Sequence, residues 1–91
     1  MKVWFLYVAE CSDNTLYTGI TNDISRRLYE HNYTKKGAKY TASRRPIKLV
    51  FEMEMPSRSV ASKAEYRFKK LSRKQKLKVI TGEEEFTFNA V

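Results

Sequence analysis

Two short apolar runs near the N terminus constrain the fold of this chain more than any other feature of its sequence. The first run, residues 3–8, consists of β-branched and aromatic side chains with one leucine, as in a strand that is covered on both faces. The second run, residues 15–20, follows directly after the turn residues Ser12, Asp13 and Asn14. Two such runs joined by a short polar loop predict an antiparallel β-hairpin.

The middle of the chain predicts a helix, a long loop and a third strand. Asn22 or Asp23 can cap a helix that begins at Ile24, because a short polar side chain accepts hydrogen bonds from the free amides of the first turn. Residues 32–46 have no apolar periodicity, and we expect a surface loop that is both functional and mobile. Apolar and polar side chains then alternate over residues 47–55, as in a strand with one face in water.

The last part of the chain predicts two helices and a tail. An apolar stripe of helical periodicity follows Ser57, and Ser72 can cap a further short helix with Gly82 as its C-terminal stop. We expect one domain over residues 1–82, because a chain of this length cannot fill two cores. Residues 83–91 then form a C-terminal tail.

The first predicted helix carries two candidate reactive groups. Ile24 and Leu28 form its apolar stripe, and Arg27 and His31 lie beside that stripe, one turn apart. We therefore expect both side chains at the boundary between core and solvent. A reactive group in that position is held in place and is still reachable.

The charge of the chain is positive and unevenly distributed. Lys and Arg number 18 against 10 Asp and Glu, which gives a formal net charge of +8. One basic block, residues 35–48, contains no acid, and a second, residues 58–78, contains only Glu65. A polyanion is the simplest partner, since neutralised phosphates release counterions without any sequence readout. The alternative is that the charge serves only solubility.

Tyrosines interleaved with the basic residues favour nucleic acid as that polyanion, because their rings can stack on bases. They are Tyr29, Tyr33 and Tyr40. Other classes of protein are excluded by what the sequence lacks. Cys11 and His31 are the only residues of their types, so an internal disulfide and a Cys/His zinc site are excluded.

The N-terminal apolar run also argues against a membrane protein. Residues 3–9 are too few to cross a bilayer, and the run ends at Glu10 without a small-residue cleavage pattern. We therefore expect no membrane association and a cytoplasmic protein.

Glu65 is the one acid that falls on the apolar side of its predicted helix, between the rows of Ala61 and Phe68. Burial of an unpaired charge costs several kcal/mol, whereas an exposed pair with Lys69 returns only about 0.3–0.5 kcal/mol. Two explanations stay open. The carboxylate holds a divalent cation at the edge of the core, or it accepts hydrogen bonds from a buried tyrosine or arginine.

Six residues occur in a characteristic order along these elements: Tyr7, Tyr17, Gly19, Arg27, His31 and Glu65. The order resembles the GIY-YIG nuclease superfamily, whose two strand motifs read Leu6-Tyr7-Val8 and Tyr17-Thr18-Gly19 here. The segments SRRLYEHN and AEYRFKKLSRKQKLKVI resemble those of the small, stand-alone bacterial members. This resemblance covers residues 3–80.

The resemblance implies an α+β fold, a three-stranded antiparallel sheet flanked by helices, and hydrolysis of phosphodiester bonds with one divalent metal. It implies that Glu65 holds Mg²⁺ or Mn²⁺, with water and phosphate completing the coordination shell. It also implies that Arg27 grips the scissile phosphate, a role in which the planar fork of arginine is better suited than lysine.

The general base is left open between two residues. The resemblance makes Tyr17 the candidate, activated by positive charge from Arg27 or the metal, and Tyr7 would position Tyr17 or the attacking water. His31 is the alternative, because an unperturbed histidine has a pKa of about 6.5 and needs no such help. Gly19 is assigned a structural role, which is to permit close backbone approach. Without the resemblance, the default interpretation of Tyr7 is a core residue of its strand, and that of Arg27 is a surface charge.

The partner implied is DNA, branched or single-stranded, with RNA as the other candidate. We expect basic residues of the loop to hold phosphates rather than to read bases. These residues are Lys35, Lys36, Lys39, Arg44 and Arg45. The competing functions are a non-catalytic nucleic-acid-binding module on the same fold, and a protein-interaction adaptor that uses Phe86 and Phe88 of the tail. No pattern in the sequence indicates the oligomeric state.

Overall fold

A computed structural model describes residues 3–87 of the chain. The elements in chain order are β1 (Trp4–Glu10), β2 (Leu16–Thr21), α1 (Ile24–Tyr33), α2 (Lys39–Ala42), β3 (Lys48–Met55), α3 (Arg58–Lys69) and α4 (Arg73–Thr81). Within residues 3–87, no helix has both the length and the apolar character needed to cross a bilayer.

The three strands form one antiparallel sheet with the order β2-β1-β3, which confirms the predicted hairpin and fold class. The register places Tyr7 of β1 opposite Gly19 of β2. Because successive side chains of a strand point to opposite faces, Leu6 and Val8 face one side of the sheet, and Tyr7 and Ala9 face the other. The central strand therefore contributes to two separate apolar clusters.

The larger cluster lies on the face of Leu6 and Val8, where α3 packs against the sheet. The buried side chains of α3 are Ala61, Ala64 and Phe68. Phe86 also belongs to this cluster, because its ring packs edge-on against Phe68 with 5.3 Å between the ring centroids. The tail therefore adds at least this one side chain to the core. Phe88, its other aromatic residue, lies outside the described residues.

The smaller cluster lies on the opposite face and contains Tyr7, Ala9, Cys11 and Ile47. Half-buried apolar side chains from β2, α1 and β3 border it, namely Tyr17, Leu28 and Leu49. Tyr7 and Tyr17 lie on this face, whereas α3, which carries Glu65, packs against the other face. Tyr7 is buried, and Tyr17 is half-buried.

The caps predicted for α1 and α4 are confirmed, and α3 is capped as well. The Asp23 carboxylate accepts from the amide of the first turn of α1, and Ser57 does the same for α3. Ser72 forms a reciprocal capping box with Gln75 at the start of α4, and Gly82 ends that helix with φ 84° in the left-handed region. These local signals fix where α3 and α4 begin, and thus the position of Glu65.

The segment predicted as a loop at residues 32–46 contains more regular structure than the sequence indicated. Helix α1 continues to Tyr33, and α2 adds one helical turn. The Asn32 side chain donates to the Ile47 carbonyl at 3.0 Å and accepts from the Ile47 amide at 2.7 Å. The prediction was wrong here because such side-chain to backbone hydrogen bonds leave no apolar periodicity in the sequence.

Candidate active site

Tyr7 lies at the centre of a cluster built from the hairpin and α1. Its side chain is 1% exposed, and its ring lies directly over Gly19 of the neighbouring strand. A β-carbon at Gly19 would stand 2.7 Å from the Tyr7 hydroxyl oxygen and 2.8 Å from ring carbon Cζ. Only glycine leaves room for this ring, so Gly19 determines where the Tyr7 hydroxyl lies.

The Tyr7 hydroxyl is hydrogen-bonded to a fully buried histidine. Its oxygen lies 2.7 Å from His31 Nε2. The other ring nitrogen, Nδ1, accepts from the Ala38 amide at 3.3 Å and lies 3.1 Å from the Thr41 hydroxyl. The Ala38 amide requires a lone pair on Nδ1, whereas the Thr41 hydroxyl, which donates to the Ala38 carbonyl at 2.8 Å, requires a proton there. The proton of the Tyr7–His31 hydrogen bond can therefore belong to either partner, and the bond fixes the position of the Tyr7 hydroxyl in both cases.

The prediction that His31 lies at the boundary between core and solvent is wrong. Burial lowers the pKa of His31 to about 4, and the positive charge of Arg27 acts in the same direction. The imidazole is therefore neutral at physiological pH. The sequence did not reveal this burial because the cover comes from Ala38 and Thr41, which lie in the segment predicted as a loop.

Arg27 lies where the sequence predicted, in a partly exposed position on α1. Its Nη1 donates to the Glu30 carboxylate at 3.0 Å and to the Lys36 carbonyl at 2.9 Å. Both partners accept from the same nitrogen, and the Tyr7 hydroxyl is a further hydrogen-bond partner of the guanidinium. The Arg27 side chain is still partly exposed, so an anion can approach it from solvent.

The charges that act on Tyr7 identify the groups gathered around it. Burial raises the pKa of Tyr7 well above its usual value, and the neighbouring Tyr17 and Glu65 raise it further, whereas Arg27 lowers it. Charges influence one another strongly only over short distances in a protein. Side chains from β1, β2, α1 and α3 therefore all contribute to the electrostatic environment of the Tyr7 hydroxyl.

Tyr17 is the more accessible of the two hairpin tyrosines. Its ring centroid lies 6.3 Å from that of Tyr7 and 5.2 Å from that of His31. On its outer side a groove of about 250 Å³ opens to solvent. The groove is lined by Leu16, Tyr17, Thr18, Tyr40, Lys69 and Lys76. A water or a substrate strand can thus reach Tyr17 but not His31.

Glu65 is mostly enclosed, with a side chain that is 22% exposed, and its carboxylate lies 2.9 Å from Lys69 Nζ. From the sequence we expected this pair to be too weak to explain the placement of Glu65. Among residues 3–87, Lys69 is nevertheless the ion-pair partner of Glu65, and the alternative of a buried tyrosine or arginine donor is not realised. The Lys69 side chain is 56% exposed, so water screens this pair as it does a surface ion pair.

The donor set around Glu65 fits a hard divalent cation. Within the described part of the chain, no group of three or more His, Cys, Asp or Glu side chains could enclose a metal ion. Mg²⁺ does not need such a cage, since it keeps several waters and takes one or two carboxylates together with phosphate oxygens. A single carboxylate beside an open groove is compatible with that mode of binding.

The two arginines expected to hold phosphates are engaged by the protein. Arg44 donates to the Asp13 carboxylate at 3.0 Å, and its guanidinium lies 4.0 Å from the ring centroid of Tyr40. Arg45 donates to the backbone carbonyls of His31 and Thr34 at the end of α1. Both side chains therefore hold the segment that covers His31. The lysines of this segment, Lys35, Lys36 and Lys39, are exposed.

Comparison with known proteins identifies relatives over nearly the whole chain. A model of the GIY-YIG catalytic domain family matches residues 3–78. A UPF0213 protein of Desulfotalea psychrophila is 51% identical over 81 residues, which cover 89% of this chain and 74% of that protein. A UPF0213 protein of Syntrophus aciditrophicus is 54% identical over 76 residues, which cover 84% of this chain and 87% of that protein.

Two solution NMR structures share the fold. One is a UPF0213 protein from Bacillus halodurans, with a TM-score of 0.57 and 38% identity over 91% of this chain and 87% of that chain. The other is a protein from E. faecalis, with a TM-score of 0.61 and 38% identity over 98% of this chain and 95% of that chain.

Proposed function

This chain belongs to the GIY-YIG family of nuclease domains, and from that membership we propose that it is a metal-dependent endonuclease that hydrolyses phosphodiester bonds in DNA. The observation that carries the proposal is the groove beside the two hairpin tyrosines, whose ring centroids lie 6.3 Å apart. Lys69 lines this groove and pairs with Glu65 at 2.9 Å, and Arg27 is held on α1 by Glu30 and the Lys36 carbonyl. This set supplies a phosphate ligand, an acceptor for a proton and a metal ligand within one region.

In the proposed reaction Arg27 binds the scissile phosphate. Its contacts with Glu30 and the Lys36 carbonyl fix the guanidinium before substrate arrives. A fixed donor stabilises the charge that develops on the phosphate without further reorganisation, which is the main source of electrostatic catalysis. The planar fork can offer two parallel N–H groups to the phosphate oxygens, which a lysine cannot do.

In this proposal Tyr17 acts as a phenolate, which positive charge from Arg27 and from a bound metal would stabilise, and it accepts the proton from the attacking water to become a neutral phenol. It lines the open groove, whereas His31 is fully buried and both of its ring nitrogens are already hydrogen-bonded. Protonation of His31 is also disfavoured, because burial lowers its pKa to about 4. These observations favour Tyr17 over His31 as the general base. We assign His31 to a positioning role.

Tyr7 orients the reactants and retains its own proton. Burial raises its pKa well above the usual value, so its hydroxyl stays protonated. The hydrogen bond to His31 Nε2 at 2.7 Å holds the Tyr7 hydroxyl in one position, and the Tyr17 ring centroid lies 6.3 Å from that of Tyr7. Tyr7 thus orients its neighbours through a fixed hydroxyl, and Gly19 gives its ring the space that this requires.

Glu65 is the proposed ligand for Mg²⁺ or Mn²⁺. A divalent cation bound there supplies positive charge next to the phosphate, which stabilises the leaving oxygen. Lys69 neutralises the carboxylate when the metal is absent, and it must release that contact when the metal binds. The ammonium group then remains beside the groove, where it can contact the substrate backbone.

The proposed substrate is DNA, and RNA is the second polyanion to test. The exposed lysines of the α1–β3 connection, Lys35, Lys36 and Lys39, would contact the backbone without reading sequence. The test is incubation of the protein with single-stranded, flapped and branched DNA in Mg²⁺ or Mn²⁺. We expect cleavage by the wild-type protein that falls about 100-fold or more in Arg27→Ala and Glu65→Ala.

Matched control variants distinguish a loss of cleavage caused by the candidate site from one caused by the change in net charge. Arg26→Ala removes a neighbouring exposed guanidinium, and Glu54→Ala removes an exposed carboxylate of β3. Each should change the rate by less than about 2-fold, as surface substitutions usually do. Absence of cleavage by the wild-type protein, or equal rates in Arg27→Ala and Arg26→Ala, would reject the nuclease.

The Glu65–Lys69 ion pair favours one second candidate, a nucleic-acid-binding module on the same fold that does not hydrolyse its ligand. A lysine that permanently neutralises the carboxylate would remove the need for a metal. This module would bind DNA in a salt-dependent manner, would not cleave it, and would keep its affinity in Glu65→Ala.

A further inference from the structure

We propose that Thr41 is a positioning residue that keeps the ring proton of His31 on Nδ1. The Tyr7 hydroxyl then donates to His31 Nε2 and leaves its own oxygen to accept from Arg27. The position of this proton is a property of the folded chain, whereas its effect on cleavage rests on the proposed function.

Thr41 ends a chain of polar side chains that the protein encloses. Thr41 and His31 are 0% exposed, and Tyr7 is 1% exposed. The Thr41 hydroxyl lies 3.1 Å from His31 Nδ1 and donates to the Ala38 carbonyl at 2.8 Å. Because a hydroxyl has a single proton, it can only accept from Nδ1 while it donates to Ala38. Thr41 therefore favours the tautomer with the proton on Nδ1.

The Ala38 amide favours the other tautomer, but its contact is the longer one. It donates toward Nδ1 over 3.3 Å, compared with 3.1 Å between Nδ1 and the Thr41 oxygen. Ala38 is also only half-buried, so water can replace an acceptor that its amide loses. Leaving this amide without a protein acceptor therefore costs less than it would for a fully buried group.

The Tyr7 hydroxyl decides between the two tautomers, because its buried proton needs an acceptor. Among residues 3–87 that acceptor is His31 Nε2, which lies 2.7 Å away. The other hydrogen-bond partner of Tyr7 is the Arg27 guanidinium, which has donors and no acceptor. A proton on Nε2 would give the Tyr7 oxygen two donors and leave the phenolic proton without an acceptor. That arrangement is costly in a buried position.

With the proton on Nδ1, donation runs in one direction through the whole chain of side chains. The order from donor to final acceptor is Arg27, Tyr7, His31, Thr41 and the Ala38 carbonyl. Every polar hydrogen of the three buried side chains then has an acceptor. The Ala38 carbonyl also accepts from the Thr41 amide at 3.1 Å, so it keeps a donor even without the hydroxyl.

This direction of donation determines how Tyr7 contributes to the proposed reaction. A Tyr7 oxygen that receives no proton from His31 keeps its lone pairs for Arg27, and so helps to hold the guanidinium that is proposed to bind the phosphate. Without the Thr41 hydroxyl, only the Ala38 amide faces Nδ1, and the ring proton moves to Nε2. His31 then competes with Arg27 for the Tyr7 oxygen.

The test measures the tautomer directly by ¹⁵N NMR of the imidazole. His31 is the only histidine of the chain, so untagged protein made with ¹⁵N-labelled histidine gives the signals of one ring. Near neutral pH this ring is uncharged, because burial lowers the pKa of His31 to about 4. The protonated and the unprotonated nitrogen have well-separated shifts, and their couplings to the carbon-bound ring protons identify each nitrogen. We expect the proton on Nδ1 in the wild-type protein and on Nε2 in Thr41→Val.

Two further variants control this experiment. Thr41→Ser keeps the hydroxyl and should restore the wild-type spectrum of the ring. Thr21→Val removes another buried hydroxyl, which is bonded to the backbone of Asp23 and not to the imidazole. Its spectrum should also show the proton on Nδ1, which separates the specific effect of Thr41 from the loss of any buried hydroxyl.

Two results would overturn the assignment of the proton. One is a proton on Nε2 in the wild-type protein, and the other is the same tautomer in the wild-type protein and in Thr41→Val. If Thr41→Val does not fold, the wild-type and Thr41→Ser spectra still decide the question, because both must show the proton on Nδ1.

A cleavage assay in Mn²⁺ tests the consequence for the reaction. Thr41→Val should cleave about 10-fold more slowly than the wild-type protein, the lower end of what the loss of an orienting outer partner costs at metal sites, and Thr41→Ser should recover most of this loss. A Thr41→Val protein with a shifted proton and an unchanged rate would overturn this consequence. The spectra need neither DNA nor metal, so a wild-type protein that does not cleave would reject the nuclease while the spectra still decide where Thr41 places the proton.

Discussion

The Tyr7 hydroxyl oxygen and His31 Nε2 lie 2.7 Å apart, and this contact joins the central strand to α1 in the middle of the candidate site. Both side chains are buried, and the Ala38 amide and the Thr41 hydroxyl hold the other ring nitrogen of His31. The imidazole is therefore fixed on both sides, and its contact with Tyr7 sets the position of the Tyr7 hydroxyl.

The first prediction concerns the pH dependence of stability. Burial lowers the pKa of His31 to about 4 in the folded protein, against about 6.5 in the unfolded chain. The unfolded chain therefore binds more protons between these values. The stabilisation from His31 is complete above about pH 6.5 and is lost as the pH falls through about 4, by on the order of 3 kcal/mol.

Urea unfolding at several pH values from 7 to about 5 checks this expectation, since it gives the free energy of unfolding at each pH. The slope of this free energy against pH is compared between the wild-type protein and His31→Gln. The glutamine can still hydrogen-bond to Tyr7 but does not titrate, so its free energy of unfolding should vary less with pH. Carboxylates with a lowered pKa, such as Asp13, are common to both proteins and cancel. Identical slopes would mean that His31 is not buried as a neutral base.

The second prediction concerns Gly19. An alanine methyl group would stand 2.7 Å from the Tyr7 hydroxyl oxygen, so the tyrosine ring must move. We expect Gly19→Ala to lower the free energy of unfolding by about 1–3 kcal/mol, the usual cost of overpacking, and to reduce cleavage. In a Tyr7→Leu background the same substitution should cost less, because the clashing atoms are gone. Additive free energies in this double-mutant cycle would contradict the close contact.

The third prediction concerns Lys69. Its ammonium group lies 2.9 Å from the Glu65 carboxylate, so it competes with any cation that Glu65 binds. Lys69→Met should tighten Mn²⁺ binding to the protein without DNA by about 2- to 10-fold, given the strength of partly buried pairs. Lys70→Met is the control, and electron paramagnetic resonance titration is the measurement. Equal affinities in the two variants would show that Lys69 does not mask the metal site.

The fourth prediction separates cations that bind DNA from cations that hold the fold. Lys35→Ala should lower DNA affinity at low salt and reduce the slope of log K against log salt by about one, with no change in thermal stability. Arg45→Ala should instead destabilise the protein by about 1–3 kcal/mol, because two carbonyls at the end of α1 lose their donor. Calorimetry and salt titrations of both variants check this, and the reverse pattern would contradict the assignment.

The sheet and the helix ends could be predicted from the sequence because their signals are local. Alternation in the hairpin determines which side chains share a face, and Asp23, Ser57 and Ser72 cap helices through bonds to amides two or three residues away. The same alternation places Tyr7 on the first strand and Tyr17 on the second strand of that hairpin. The face of the sheet on which the candidate site lies was therefore accessible to sequence reasoning.

The environment of the site could not be predicted, because it depends on contacts between segments that are distant in sequence. His31 is buried by Ala38 and Thr41, and no periodicity in residues 32–46 indicates that this segment folds back over α1. The same holds for Arg44, whose partner Asp13 belongs to the hairpin turn. Composition identified these residues as basic, but only the fold distinguishes a cation that binds the protein from one that faces solvent.

The central claim is that Glu65, beside Tyr17 and Arg27, holds the metal. Paramagnetic broadening of backbone amide NMR signals by Mn²⁺ tests it most directly, since the effect depends steeply on distance from the ion. We predict that the signals of Glu65, Gly19 and Arg27 broaden first, and that Glu65→Gln abolishes this effect. Broadening confined to the acidic surface formed by Glu52, Glu84 and Glu85 would contradict the account.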